Sequence, residues 1–156
     1  MANVSNTVNV EELTIVCMND QVFPLWETDA EQVVAMMSAL ADSTPLSRVS
    51  LPGTHDSGAT VPLYDLAGKC QDASIAEQLN YGARFLDVRL KAAQDQLSLY
   101  HGFIDQQQNF DTVLSTCYLF LRNHPTETIV MSVQEEQKSS GCTETFEALL
   151  QKEISL

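Results

Sequence analysis

The chain has 156 residues, 44% of them hydrophobic, and carries 21 acidic against 8 basic residues for a formal charge of −13. That length suits one domain around one core, and the acidic surplus argues against nucleic acid as a partner and against broad electrostatic adhesion to an anionic bilayer. No basic segment followed by an apolar run opens the chain, and no stretch approaches the ~20 apolar residues of a membrane span, so neither a signal peptide nor a transmembrane helix is expected within it. The four cysteines, Cys17, Cys70, Cys117 and Cys142, are far apart and form no CxxC pair. Their spacing argues against zinc and against a disulfide framework, and Cys117, in an apolar helical pattern, is assigned to the core.

In chain order, residues 1–27 read as an N-terminal extension with one strand-like run, Leu13-Thr-Ile-Val-Cys17. Thr28-Asp-Ala-Glu31 is a capping box that predicts a helix, with Val33, Val34, Met36, Met37 and Leu40 at helical spacing and its methionines assigned to the core. Arg48-Val-Ser-Leu51 reads as a short buried strand broken by Pro52 and Gly53, with Gly58 closing the loop. His55 and Asp56 then lie just past a strand's C-terminal end, where α/β folds place chemistry.

Asp72–Asn80 is helical in pattern, with Ile75, Ala76 and Leu79 on one face and Gly82 suited to the C-terminal cap. A second strand over Arg84–Leu90 carries Asp87 and Arg89 on the same face, because side chains alternate along a strand. Ala92–Gln96 supplies a turn, and a third strand over Leu97–Tyr100 ends on His101-Gly102. Phe110–Arg122 is a helix with Val113, Leu114, Cys117 and Leu121 inward, and His124, before Pro125, is read as a surface residue. A fourth strand over Thr128–Val133, a polar loop over Gln137–Cys142 and a helix over Thr143–Ile154 complete the chain.

Two of three histidines therefore end apolar runs next to glycine, with an arginine between them in sequence.

The blocks Pro45-Leu-Ser-Arg-Val-Ser-Leu-Pro-Gly-Thr-His-Asp-Ser-Gly58, Gly82-Ala-Arg-Phe-Leu-Asp-Val-Arg89, His101-Gly102 and Asn123-His-Pro-Thr-Glu-Thr-Ile-Val-Met-Ser132 occur in this order. In them the chain resembles the N-terminal half of the catalytic X domain of phosphatidylinositol-specific phospholipase C, particularly the bacterial, metal-independent type. The resemblance implies an α/β fold of (β/α)8 TIM-barrel type. Of that barrel only the first half, about four parallel strands with helices over residues 28–156, falls within this chain, with the helix after Thr28 as a lid across one end. The open edges of such a half are expected to be covered by the missing half, by self-association or by another chain.

The resemblance further implies a substrate, phosphatidylinositol or a related inositol lipid at a membrane surface, cleaved by attack of the inositol 2-hydroxyl to give diacylglycerol and a cyclic inositol phosphate. Such a cleavage needs a base for the hydroxyl proton, an acid for the departing oxygen and positive charge on the non-bridging oxygens, and two imidazoles, a side-chain type suited to both proton roles near neutrality, with one guanidinium make up that set. Position by position, His55 is the general base, His101 the general acid and Arg89 the phosphate holder, with Asp56 assisting the acid beside the leaving oxygen. Asp87 orients Arg89 or His101, or serves as a structural ion-pair partner. Gln134 stands where some relatives have a substrate-facing lysine, and Tyr100 where bacterial relatives often have a second histidine. Arg89 replaces the carboxylate of calcium-dependent relatives, so no cofactor is expected; Asp56, Asp87, Glu135 and Glu136 are the oxygen donors a calcium alternative would use. Bacterial relatives are commonly secreted, which leaves the compartment open. The alternatives carried forward are a non-catalytic inositide-binding module and a metal-dependent phosphodiesterase on the same barrel.

Overall fold

The computed structural model describes residues 35–62 and 68–155. In chain order the elements are β1 (Gly53–Thr54), α1 (Ile75–Asn80), β2 (Phe85–Ala93), β3 (Gln96–His101), β4 (Ile104–Asn109), α2 (Phe110–Asn123), β5 (Val130–Ser140) and α3 (Phe146–Ile154), preceded by two 3-10 turns at Met36–Ala39 and Leu46–Arg48.

β2 is the organising strand. Its residues alternate without a break between half-buried and buried, as the two-residue period of a strand dictates. Leu86, Val88, Leu90 and Ala92 point into one core. Leu97 and Leu99 of β3 join them, and α1 (Ile75, Leu79), α2 (Phe110, Val113, Cys117, Phe120) and α3 (Phe146, Leu149, Leu150) cover that face. Each large side chain so buried contributes about 1.5–3 kcal/mol of transfer free energy. The opposite face of β2 keeps Asp87 and Arg89 clear of the helices.

β1 and β5 flank β2 in parallel, with Gly53 opposite Phe85 on one side and Phe85 opposite Val130 on the other. β3 runs antiparallel to β2, and β4 antiparallel to β3. The α/β half-barrel therefore stands, but its sheet is curled and mixed rather than built of four parallel strands. The cause lies at Gln94 and Asp95, whose φ values of +52° and +60° form the two-residue primed turn that joins antiparallel strands. A parallel return needs a crossover of a dozen residues or more, and only two separate β2 from β3.

Other expectations shift locally. Residues 48–51 form no strand: the 3-10 turn Leu46–Arg48 occupies the start, and Val49 and Leu51 are only half-buried. The strand lies further on, and Gly53 belongs to it, because a Cβ there would stand 2.9 Å from the Phe85 Cβ across the ladder. The Pro52 carbonyl starts the pairing by accepting from the amides of Arg84 and Phe85. The capping box at Thr28 and residues 1–27 lie outside the described residues. Met36 and Met37 sit in a 3-10 turn with no buried residue, so they are not core. In α1 the buried polar residue is Gln78 and Ala76 is exposed. β5 continues to Ser140, so 137–140 is strand rather than loop.

Candidate active site

The loop after β1 is clamped to β2 at Asp87. The Ser57 amide donates to the Asp87 carbonyl at 2.7 Å, and the Asp87 amide donates to Ser57 Oγ at 2.9 Å. Gln78 of α1 supports the loop from beneath, donating to the Ser57 carbonyl at 2.8 Å and accepting from Thr54 Oγ1 at 2.7 Å. Gly58 lets the loop lie directly on β3: a Cβ there would stand 2.0 Å from Leu99 Cδ2, two residues before His101. Asp56 takes the left-handed conformation, φ +44°, which aspartate tolerates better than most side chains.

This geometry gathers the charged groups around Arg89. Asp87 Oδ2 lies 3.1 Å from His55 Nδ1, accepts from the Asp56 amide at 3.0 Å and from Arg89 Nη2 at 3.2 Å. Arg89 Nη1 is 3.5 Å from Glu136 Oε2, and Arg89 Nε is 3.9 Å from Asp56 Oδ2. The same oxygen lies 3.9 Å from His101 Nε2. Glu136 Oε1 accepts from the Gly102 amide at 2.8 Å, so one carboxylate joins the arginine to the tip that carries His101.

The charges respond to one another. Burial raises the Asp56 carboxyl above its ordinary range, against the pull of His101 and Arg89, and its Oδ2 makes no hydrogen bond. Burial alone would lower the Arg89 guanidinium, but the hydrogen bonds and charge of Asp87, with the charges of Glu136 and Asp56, hold it above its usual value. The result is a fixed cation with an imidazole on each flank, His55 with its side chain 65% exposed and His101 with 31%.

A family model described as phosphatidylinositol-specific phospholipase C, X domain, matches residues 43–154. The chain belongs to that family. A 1-phosphatidylinositol phosphodiesterase of Listeria monocytogenes is 37% identical over 125 residues, covering 77% of this chain and 38% of the relative. One from Staphylococcus aureus is 34% identical over 121 residues, covering 74% and 39%. Among solved structures, a double mutant of the S. aureus phosphatidylinositol-specific phospholipase C superposes with a TM-score of 0.75 at 30% identity, covering 81% of this chain and 43% of that one. The L. monocytogenes enzyme gives 0.70 at 34%, covering 79% and 44%. The chain thus spans about two-fifths of the length of the relatives it matches.

Of the residues singled out in this X domain, His55, Asp56, Asp87, Arg89 and His101 lie together. Gln134 stands opposite Arg89 in the β2–β5 register and is exposed. Asp87 lies against Arg89, as one expectation had it, and its imidazole partner is His55 rather than His101. The calcium donor set does not converge, because Glu135 turns away to accept from the Ser139 amide and hydroxyl. The other three acids surround a guanidinium. His124 is half-buried at the end of α2, its ring tilted against that of Phe120 with centroids 4.5 Å apart, and is not part of the site.

Sequence reasoning treated Glu136 only as a spare oxygen donor. The register runs Leu90 opposite Glu135 and then Lys91 opposite Gln137, so Glu136 is the extra residue of a β-bulge, a device that re-aims side chains beside sites. Ser57 and Gln78 were also missed; a serine after His-Asp and a glutamine within an apolar helical face were the available signals. Among the described residues no helix is long and apolar enough to cross a membrane.

Proposed function

We propose that residues 28–156 form the N-terminal half of a phospholipase C X-type barrel domain, preceded by an extension over 1–27. That half carries the machinery for cleaving phosphatidylinositol at a membrane surface to diacylglycerol and a cyclic inositol phosphate. The observation that supports this best is the placing of Arg89 between two imidazoles, each reached through one carboxylate. In this reading Arg89 holds the phosphate and spreads its developing charge over the guanidinium fork. His55, oriented by Asp87, takes the proton of the inositol 2-hydroxyl, and His101, beside Asp56, gives one to the departing glycerol oxygen. Gln134, next to Arg89 in register, faces the inositol ring.

The reaction is proposed to need no metal, since the place a cation would fill among Asp56, Asp87 and Glu136 is held by the Arg89 side chain. Phosphatidylinositol vesicles incubated in chelator with the chain, and with a longer version that supplies the second half of the barrel, followed by phosphorus NMR, test both points. Cyclic inositol phosphate should form, and His55→Ala and His101→Ala should abolish it. Absence of product together with saturable inositol phosphate binding that His55→Ala leaves unchanged would refute catalysis in favour of a binding module. Product that appears only with added calcium would refute the metal-free step.

A further inference from the structure

We propose that Asp56, Cys70 and His101 form a binding site for a thiophilic divalent cation, Zn2+, that silences the site by occupying His101. The three come from the loop after β1, the segment before α1 and the end of β3, so no ligand spacing in the sequence betrays them. One donor atom from each lies within 4.8 Å of the others, and Cys70 Sγ is 3.9 Å from His101 Nδ1. Zinc bonds of about 2.3 Å to sulfur and about 2.0 Å to nitrogen at a tetrahedral angle set those atoms roughly 3.5 Å apart. A closure of a few tenths of an ångström is therefore enough on that side.

Asp56 supplies an independent observation. Its side chain is 3% exposed and directed at His101, and its Oδ2 makes no hydrogen bond. A buried carboxylate oxygen without a donor is costly, and a bound cation would satisfy it. That oxygen faces Nε2 while the thiol faces Nδ1, so the half-exposed ring turns, or the carboxylate shifts, for all three to meet one ion. Arg89, 3.9 Å from the same oxygen, opposes a second positive charge, but Asp87 and Glu136 offset its charge from the other side. Three protein donors leave the fourth tetrahedral position to water.

On binding, the Cys70 thiol proton leaves to solvent as the sulfur–zinc bond forms, and a ring nitrogen of His101 gives its lone pair to the ion. Nothing is oxidised or reduced. Only the silencing rests on the function proposed above; the binding does not. The test is calorimetric titration with zinc chloride, paired with the thiolate-to-metal absorption band on Co2+ substitution, in a Cys17→Ser/Cys142→Ser background that leaves Cys70 and the core residue Cys117. Expected are one equivalent bound, a thiolate band, and at least tenfold weaker binding in Cys70→Ala, Cys70→Ser and Asp56→Asn, each checked for native circular dichroism.

Absence of stoichiometric binding, or binding that the Cys70 variants leave unchanged, overturns the proposal. So does binding lost in His55→Ala instead, which would put the ion on the Asp87 side. Zinc should also stop lipid turnover in the background protein while sparing the residual rate of Cys70→Ala. A chain that binds zinc through Cys70 yet cleaves no lipid sinks the functional reading alone; one that cleaves lipid and ignores zinc sinks this inference alone.

Discussion

Two arginines bracket the first half of β2, and the chain treats them oppositely. Arg84 is fully buried, its Nε 2.7 Å from Glu127 Oε2 and its Nη1 donating to the Leu79 and Ala83 carbonyls at 2.8 Å. Its guanidinium also lies 4.6 Å over the Phe120 ring, and the partner Glu127 accepts from the Met37 amide. Arg89 is 22% exposed, and its contacts to Asp87, Glu136 and Asp56 run from 3.2 to 3.9 Å. Short bonds to carbonyls and one carboxylate complete the first guanidinium. Longer contacts to three carboxylates leave the second strongly attracted but loosely bonded, which suits the phosphate-holding role proposed for it. The difference teaches that charge attraction and hydrogen-bond completion are separate properties, and that Arg89 has the first without the second.

The largest effect should fall on the completed arginine. Arg84→Met leaves Glu127 buried without its cation and the Leu79 and Ala83 carbonyls each one donor short, and should cost about 3–5 kcal/mol of stability. Urea unfolding would show it as a lower midpoint with an unchanged slope. Arg84→Met/Glu127→Met should recover most of that loss, since an apolar pair of similar volume needs no compensation. A single variant as stable as the parent would mean Arg84 is not the structural partner its bonding implies.

Arg89→Lys sharpens the contrast. The charge among the three acids stays, so stability should change by less than ~1 kcal/mol, but the planar fork is lost. Turnover of phosphatidylinositol should fall about 10²–10³-fold, as for removal of one donor to a developing oxyanion. A lysine variant with parental turnover would show that charge alone serves and that the fork is idle.

Much of this was legible in the residues, and the rest was illegible for identifiable reasons. The alternation Leu86, Val88, Leu90 against Asp87 and Arg89 announces one strand with a core face and a site face, and α1 and α2 follow from the helical spacing of their apolar residues. The direction of β3 was not legible, because Gln94-Asp95 lacks the glycine that usually marks a primed turn. Arg84 and Arg89 sit in one motif with nothing local to separate them; their difference comes from Glu127, some forty residues away. Glu136 depends on a bulge that no periodicity predicts, and the His55 partnership of Asp87 depends on how Ser57 clamps the loop.

That bulge gives a milder test. Glu136→Gln keeps an acceptor for the Gly102 amide but removes one negative charge beside Arg89, so inositol phosphate should bind several-fold tighter with the fold unchanged. Glu136→Ala also loses the Gly102 hydrogen bond, worth about 1 kcal/mol, and frees the tip carrying His101. Its signature should be a lower kcat with KM little changed, and a rise in KM alone would assign Glu136 to ground-state binding.

The smallest effect should be a gain. Burial raises the Asp56 carboxyl above its unfolded value, so the folded chain favours the protonated form. The stability this adds is fully present below the unfolded pKa and lost as pH rises through the folded one. At neutral pH the ionised group is a standing cost, as site residues commonly are. An asparagine in its place would be as neutral as protonated aspartate and would tolerate the left-handed backbone that alanine would strain. Asp56→Asn should therefore be more stable than the parent by about 1 kcal/mol at pH 7, with the difference vanishing below the ordinary carboxyl range, while lipid turnover falls because His101 loses its carboxylate neighbour. Thermal unfolding across that pH range decides it: an advantage that persists in acid, or a loss at pH 7, would mean the attraction of Arg89 and His101 for this carboxylate outweighs its burial.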